Sequence, residues 1–80
     1  MVRETLSNAF GKVVQRHRRI AGLSQEALAY QAGVHRTYVG LVERGLRKPT
    51  IDVGDALAQA LGTSLSRLIR EAERKVKRSS

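Results

Sequence analysis

The side chains able to do chemistry in this 80-residue chain are mostly cations. Its two histidines, His17 and His35, stand eighteen positions apart, there is no cysteine, and no glycine motif has the form that cradles a phosphate. The carboxylate pairs Asp52/Asp55 and Glu71/Glu73 lie next to no candidate nucleophile, and Asp52 and Asp55 are better explained as early residues of a helix whose dipole they complement. No catalytic residue, no metal-ligand set and no cofactor is therefore expected. Fifteen Lys and Arg against seven Asp and Glu leave a net charge of +8. The sequence pI of about 11.2 lies well above the mark of roughly 9 that flags basic nucleic-acid-binding domains. A polyanion is the expected partner.

The charge is uneven along the chain. Residues 35–50 carry +3, including Arg36, Arg44, Arg47 and Lys48, whereas residues 51–63 carry −2. The first block reads as an electrostatic footprint and the second should point elsewhere. A basic end over residues 74–80 reads as a frayed, solubilising tail or as one more nucleic-acid contact.

Positioning these cations requires helices. Turn signals at Gly22-Leu23-Ser24, Gly33-Val34, Gly45 to Thr50 and Gly62-Thr63-Ser64 cut the chain into five segments, none alternating with the period of a strand. In the first, about 5–21, Leu6, Phe10, Val13, Val14, His17 and Ala21 recur at helical spacing, with Lys12, Arg16 and Arg19 on the other face. Ser24 can cap the second helix, on which Leu28, Ala29 and Ala32 mark the buried side. The third, about 35–44, places Val39, Val42 and Leu46 on one stripe, with Thr37, Leu41 and Arg44 opposite, flanked by Arg36 and Gly40. Thr50 can cap a fourth helix over about 51–61 with Val53, Leu57, Ala60 and Leu61 inward, and Ser64 a fifth with Leu65, Leu68, Ile69, Ala72 and Val76 on one face.

The expected architecture is an all-α, five-helix domain spanning residues 1–80. At this length about 60 to 65% of the unfolded surface is buried, and three aromatics, Phe10, Tyr30 and Tyr38, make the core thin and aliphatic. The stripe Leu65, Leu68, Ile69 and Ala72 is too large for such a core to cover, which predicts a homodimer through the fourth and fifth helices. The lack of cysteine fits a reducing compartment. No apolar run approaches a membrane span, and Val2 to Phe10 is too short and polar for a signal peptide. A soluble, cytoplasmic protein with no membrane partner is expected.

Residues 24–44 make two short helices joined by a glycine-containing turn, the second polar outside. This is the helix-turn-helix signature, although a plain α-helical bundle fits the pattern as well. The strings Leu23-Ser24-Gln25-Glu26-Ala27-Leu28-Ala29, Ala32-Gly33-Val34, Arg36-Thr37-Tyr38-Val39, Val42-Glu43-Arg44-Gly45 and Pro49-Thr50 go further. Over roughly residues 9–70 the chain resembles the lambda-repressor/Cro (xenobiotic-response-element) helix-turn-helix family. Its length and its Arg36-Thr37-Tyr38 resemble, more narrowly, the small homodimeric controller proteins of restriction-modification systems, though antitoxins and phage regulators share much of the string.

The resemblance implies binding to double-stranded DNA with roles residue by residue. Arg36 and Thr37 match base-reading positions, where a guanidinium bonds guanine O6 and N7 and a threonine methyl touches thymine. Gly40 and Leu41 depart from the polar residues usual on this surface; Gly40 allows close approach to the backbone and Leu41 a contact with a thymine methyl. Gln25 would bond a phosphate, and Arg44, Arg47 and Lys48 would hold the sugar-phosphate backbone. Tyr38 matches a phosphate-contacting position but serves equally as core edge. Glu43 is tempting as a general base, yet the resemblance implies a pair with Arg18. His17 takes a position usually apolar in the family and reads as hydrogen-bonded core, and His35 as a helix cap.

Three function classes follow. A sequence-specific transcriptional regulator predicts a homodimer on a palindromic operator, and is the preferred reading. An antitoxin predicts a second, protein-binding surface, for which Val13 and Ile20 are candidates. A sequence-independent RNA or DNA binder predicts stacking aromatics that the chain mostly lacks.

Overall fold

The computed structural model describes residues 4–79. Met1, Val2 and Arg3, the last two belonging to the stretch too short and polar for a signal peptide, and Ser80 of the basic tail lie outside the described residues. Every regular element among those described is an α-helix: α1 (Leu6–Ile20), α2 (Gln25–Ala32), α3 (Arg36–Glu43), α4 (Ile51–Ala60) and α5 (Leu65–Ser79). Each begins where a side-chain acceptor satisfies a backbone N–H that the first turn leaves unpaired. Thr5 accepts from Asn8 N, Ser24 from Ala27 N, Thr50 from Val53 N and Ser64 from Arg67 N, at 3.0 to 3.2 Å. His35 does the same through Nδ1, accepting from Thr37 N at 3.1 Å. No described helix is long and apolar enough to cross a membrane.

All five helices feed one core, in which Val14, Leu28, Val39, Val42, Leu57 and Leu68 have no solvent exposure. α1 is central to it. It packs on α3 along one side and on α5 along another, while α4 closes against α2 and α5. α1 and α3 meet at backbone distance, because Gly11 is buried and faces the end of α3. A Cβ there would overlap the Val42 carbonyl oxygen and stand 3.0 Å from its carbon.

Several expectations change. Leu46 leaves the stripe of Val39 and Val42: α3 stops at Glu43, Gly45 adopts φ 73°, and Leu46 turns outward, 65% exposed. Ala21 is the C-cap of α1 and exposed, so the buried stripe of that helix ends earlier. Val13 is buried at 3% exposure while Ile20 is 74% exposed, so the two form no shared surface and the antitoxin reading loses the pair that supported it. Leu68 and Ala72 are fully buried inside this one chain. The expected interface stripe is thereby reduced to Leu65 and Ile69, which keep partial exposure. The basic end does not fray at residue 74 but stays helical to Ser79. Val76 packs against the core there, and Lys77 and Arg78 in the last turn complement the helix dipole.

Candidate nucleic-acid interface

The angle between α2 and α3 is set by one glycine. Gly33 takes the left-handed conformation (φ 75°, ψ 28°) that costs other residues about 1 kcal/mol or more, and its N–H bonds back to Ala29 and Tyr30. Val34 N also turns back onto Ala29 O at 3.0 Å, closing the end of α2. His35 caps α3 immediately, so three residues turn the chain from one helix into the next. Val39 and Val42, both without exposure, press the inner side of α3 into the core.

A buried charge holds the far end of α3. Glu43 is 4% exposed and Arg18 9%. Arg18 Nε donates to Glu43 Oε2 at 2.6 Å and its Nη2 donates to Oε1 at 3.1 Å, a two-pronged pair joining α1 to α3. Gln25 Nε2 donates to Oε1 at 3.0 Å from α2, Gln15 Nε2 at 3.3 Å from α1, and Arg18 Nη1 caps the Leu23 carbonyl at 2.8 Å. Burial pushes the Glu43 carboxyl up, but the bonds from Arg18, Gln25 and Gln15 and the charge of Arg18 together hold it below the ordinary glutamate value. Its bond to Arg18 raises the guanidinium in return, against the opposing effect of burial. Both stay charged at neutral pH. Glu43 is thus a three-helix clamp with no access to a substrate, which supports the paired reading over the general base.

On the outer side, Gln25, Glu26, Arg36, Thr37, Gly40 and Arg44 line one shallow depression across α2 and α3. Four residues expected at the DNA surface from α3, together with Gln25, are therefore brought onto one face. Leu41 is half-buried on the flank of α3. The Gln25 amide lies 3.5 to 3.7 Å from where a Gly40 Cβ would be, so the glycine leaves room for that side chain as well as for a ligand. Tyr38 is half-buried against the core, and the Arg47 guanidinium stands 5.6 Å over its ring, close enough for a cation–π contact. That contact ties the loop after α3 to the helix. Lys48 beside it is exposed, and Arg44 is partly restrained, its Nε donating to Gly40 O at 3.2 Å.

Two features were missed by sequence reasoning. Glu26, an exposed residue in the first turn of α2, forms an ion pair with Arg36 at 3.6 Å, so a carboxylate sits within the cationic face. No spacing rule reports a pair between two different helices. Gly11 was passed over, yet a glycine inside a helix costs about 1 kcal/mol relative to alanine and usually has a packing reason. That cost was the available signal. His17 proves to be a partner of α5: its Nε2 lies 3.0 Å from Glu71 Oε2, and Arg16 pairs with the same carboxylate. Burial raises the Glu71 carboxyl, but the bonds and charges of His17 and Arg16 leave it net lowered. No cluster of metal-ligating side chains occurs among the described residues.

Comparison with known proteins bears on this arrangement. A family model described as helix-turn-helix matches residues 14–68. The control protein C.SmaI of Serratia marcescens is 48% identical over 56 residues, covering 70% of this chain and 67% of that protein. C.BamHI, a control protein of Bacillus amyloliquefaciens, is 39% identical over 54 residues, 66% of this chain and 67% of its own length. Among solved structures, the restriction-modification controller protein C.AhdI from Aeromonas hydrophila superposes with a TM-score of 0.74 at 41% identity, covering 76% of this chain and 92% of that one.

Proposed function

This chain belongs to the lambda-repressor/Cro-type helix-turn-helix family of transcriptional regulators, and from that membership we propose that it binds a short palindromic operator as a homodimer and serves as a controller of restriction-modification genes. The observation that carries the reading is the division of α3. Val39, Val42 and Glu43 bury one side, while Arg36, Thr37, Gly40 and Arg44 line an open depression on the other. A helix held in this way can enter a major groove with its side chains already arranged.

In this reading Arg36 bonds a guanine through two N–H groups and Thr37 and Leu41 touch thymine methyls, with Gly40 admitting the base edges. Gln25, Tyr38, Arg44, Arg47 and Lys48 hold backbone phosphates on either side and fix the register. Residues 1–80 act as one DNA-binding unit. The dimer forms around Leu65 and Ile69, which border an apolar cleft with Leu6, Phe10 and Ile51. Exposed Ile51 (79%) and Leu6 (42%) give that cleft surface worth covering. The similarity to C.SmaI, C.BamHI and C.AhdI supports the controller role.

The test is selection of bound duplexes from a random library, followed by sedimentation of the complex. Enrichment of a symmetric site with half-sites about one helical turn, ~34 to 36 Å, apart is expected. No enriched sequence, or one protein chain per selected duplex, would overturn the proposal. A methyltransferase and endonuclease pair encoded beside this gene is the genomic counterpart.

A further inference from the structure

A second cationic surface lies apart from α3. Lys12 and Arg16 of α1 face Arg67, Arg70, Arg74, Lys75 and Arg78 of α5 across an open groove. Among the described residues one carboxylate lines it, Glu71, held by Arg16 and His17, and a second, Glu4, meets Lys12 at 3.0 Å. Seven cations against these two anions leave an excess of five positive charges. At about 100° per residue, Lys12 and Arg16 sit roughly 110° around α1 from Gly11, Gln15 and Arg18, which face α3. On α5, Arg67, Arg74 and Arg78 lie about 180° from Leu65 and Ile69 by the same count. The groove therefore opens away from the reading face and from the proposed dimer cleft.

We propose that this α1–α5 groove is a second binding site for duplex DNA, gripping the phosphate backbone of a segment not seated on α3. Three arguments select this occupant. The groove's one apolar lining residue, Val13, is buried, so there is no anchor of the kind that forms the core of a protein–protein interface. Its arginines run along α5 over about 16 Å, and guanidinium forks match phosphate oxygens in a way ammonium groups do not. Neither tyrosine nor the phenylalanine lines it, so it offers single strands no stacking platform. A protein holding an operator on α3 would thereby engage a second stretch of backbone, in sequence-independent fashion.

The experiment is an amide chemical-shift titration of the full chain at low salt with a random-sequence duplex of about 16 base pairs, long enough to span one helical turn. Because α3 and α5 amides are read separately, loss of the α3 response would refute the proposed reading face without touching this inference. The expected result is a second set of shifts at Lys12, Arg16 and residues 67–78, saturating after those of α3. Arg67→Gln/Arg74→Gln/Arg78→Gln should lose that set and keep the α3 shifts. In the parent, the second step should weaken with salt, and the triple variant should remove about 0.9 per lost contact from the slope of log K on log salt. If the α5 shifts appear together with those of α3 only on a duplex several turns long, the second segment is the flank of the same molecule, and the site stands. Unmoved α5 amides at several equivalents of both the short and the long duplex would overturn the proposal. So would poly-glutamate shifting them as strongly as DNA of equal charge, which would make the occupant an acidic protein.

Discussion

Removing the Glu43 carboxylate should be the most damaging single change outside the apolar core. Glu43→Ala strips Arg18 of both charged acceptors, leaving its guanidinium buried with only the Leu23 carbonyl, and deprives Gln25 and Gln15 of theirs. Breaking one side of a buried ion pair costs about 3 to 5 kcal/mol, because the surviving charge stays desolvated. An 80-residue domain has roughly 4 to 12 kcal/mol in total at 0.05 to 0.15 per residue, so the loss is about a quarter or more of its stability. Urea unfolding followed by circular dichroism measures it: with a slope near 1 kcal/mol/M the midpoint should fall by about 3 to 5 M. The double replacement Arg18→Met/Glu43→Leu should recover at least half of that loss, since an apolar pair carries no stranded charge. The acid limb supplies an independent check. A carboxyl held below its ordinary value of 4.5 stabilises the fold above that pH, and the stabilisation is lost as pH falls through the lower, folded value. The parent should hold its stability down to about pH 5 and then lose it steeply, and Glu43→Ala should flatten that limb, leaving mainly the contribution of Glu71. A loss below about 1 kcal/mol in Glu43→Ala, or single and double variants that merely add, would refute the clamp.

Gly11→Ala, a change that favours helices by about 1 kcal/mol, should instead destabilise the protein, because the added Cβ overlaps the Val42 carbonyl; a rise in thermal midpoint would show that α1 and α3 are not in backbone contact. Arg36→Ala should cost roughly 1 to 3 kcal/mol per half-site on the selected operator and little on scrambled duplex, whereas Arg47→Ala/Lys48→Ala should weaken both alike and flatten the salt slope by about 2 per subunit. Equal losses on both duplexes for Arg36→Ala would make it a phosphate contact. Glu26→Gln frees Arg36 from its 3.6 Å partner and should raise affinity for scrambled duplex more than for operator, as read by fluorescence anisotropy on the two. Ile69→Glu should leave the helical signal intact and shift sedimentation to a monomer at tens of micromolar, the outcome expected where a charge enters an apolar interface.

The sequence reading located all five helices because each carries its own punctuation: a Ser, Thr or His acceptor at the start and, for the first four, a glycine just past the end. The inner side of α3 was equally legible, since Val39 and Val42 are one helical turn apart. Less accessible was anything that depends on how far a neighbour reaches. Leu68 and Ala72 share a stripe with Leu65 and Ile69, and periodicity cannot say where the protein's own α1 and α4 stop covering it. Ile20 and Val13 sit seven apart, yet α5 covers only the second. The Arg18–Glu43 pair came from family resemblance, while the parts of the clamp supplied by Gln15 and Gln25 and the Glu26–Arg36 pair needed coordinates, because polar contacts between helices leave no period in the chain.

The backbone contact at Gly11 and the clamp at Glu43 both act on the C-terminal half of α3, whereas Arg36 and Thr37 occupy its exposed first turn. The pose of the helix is therefore inherited from main chain and buried charge, and the letters it presents are inherited separately. Exposed substitutions remote from such anchors usually change stability by no more than about 0.5 kcal/mol. A lineage carrying this fold can exchange residues 36 and 37 through a series of fully folded intermediates, so a change of operator is limited by the need for protein and DNA site to change together, and not by foldability.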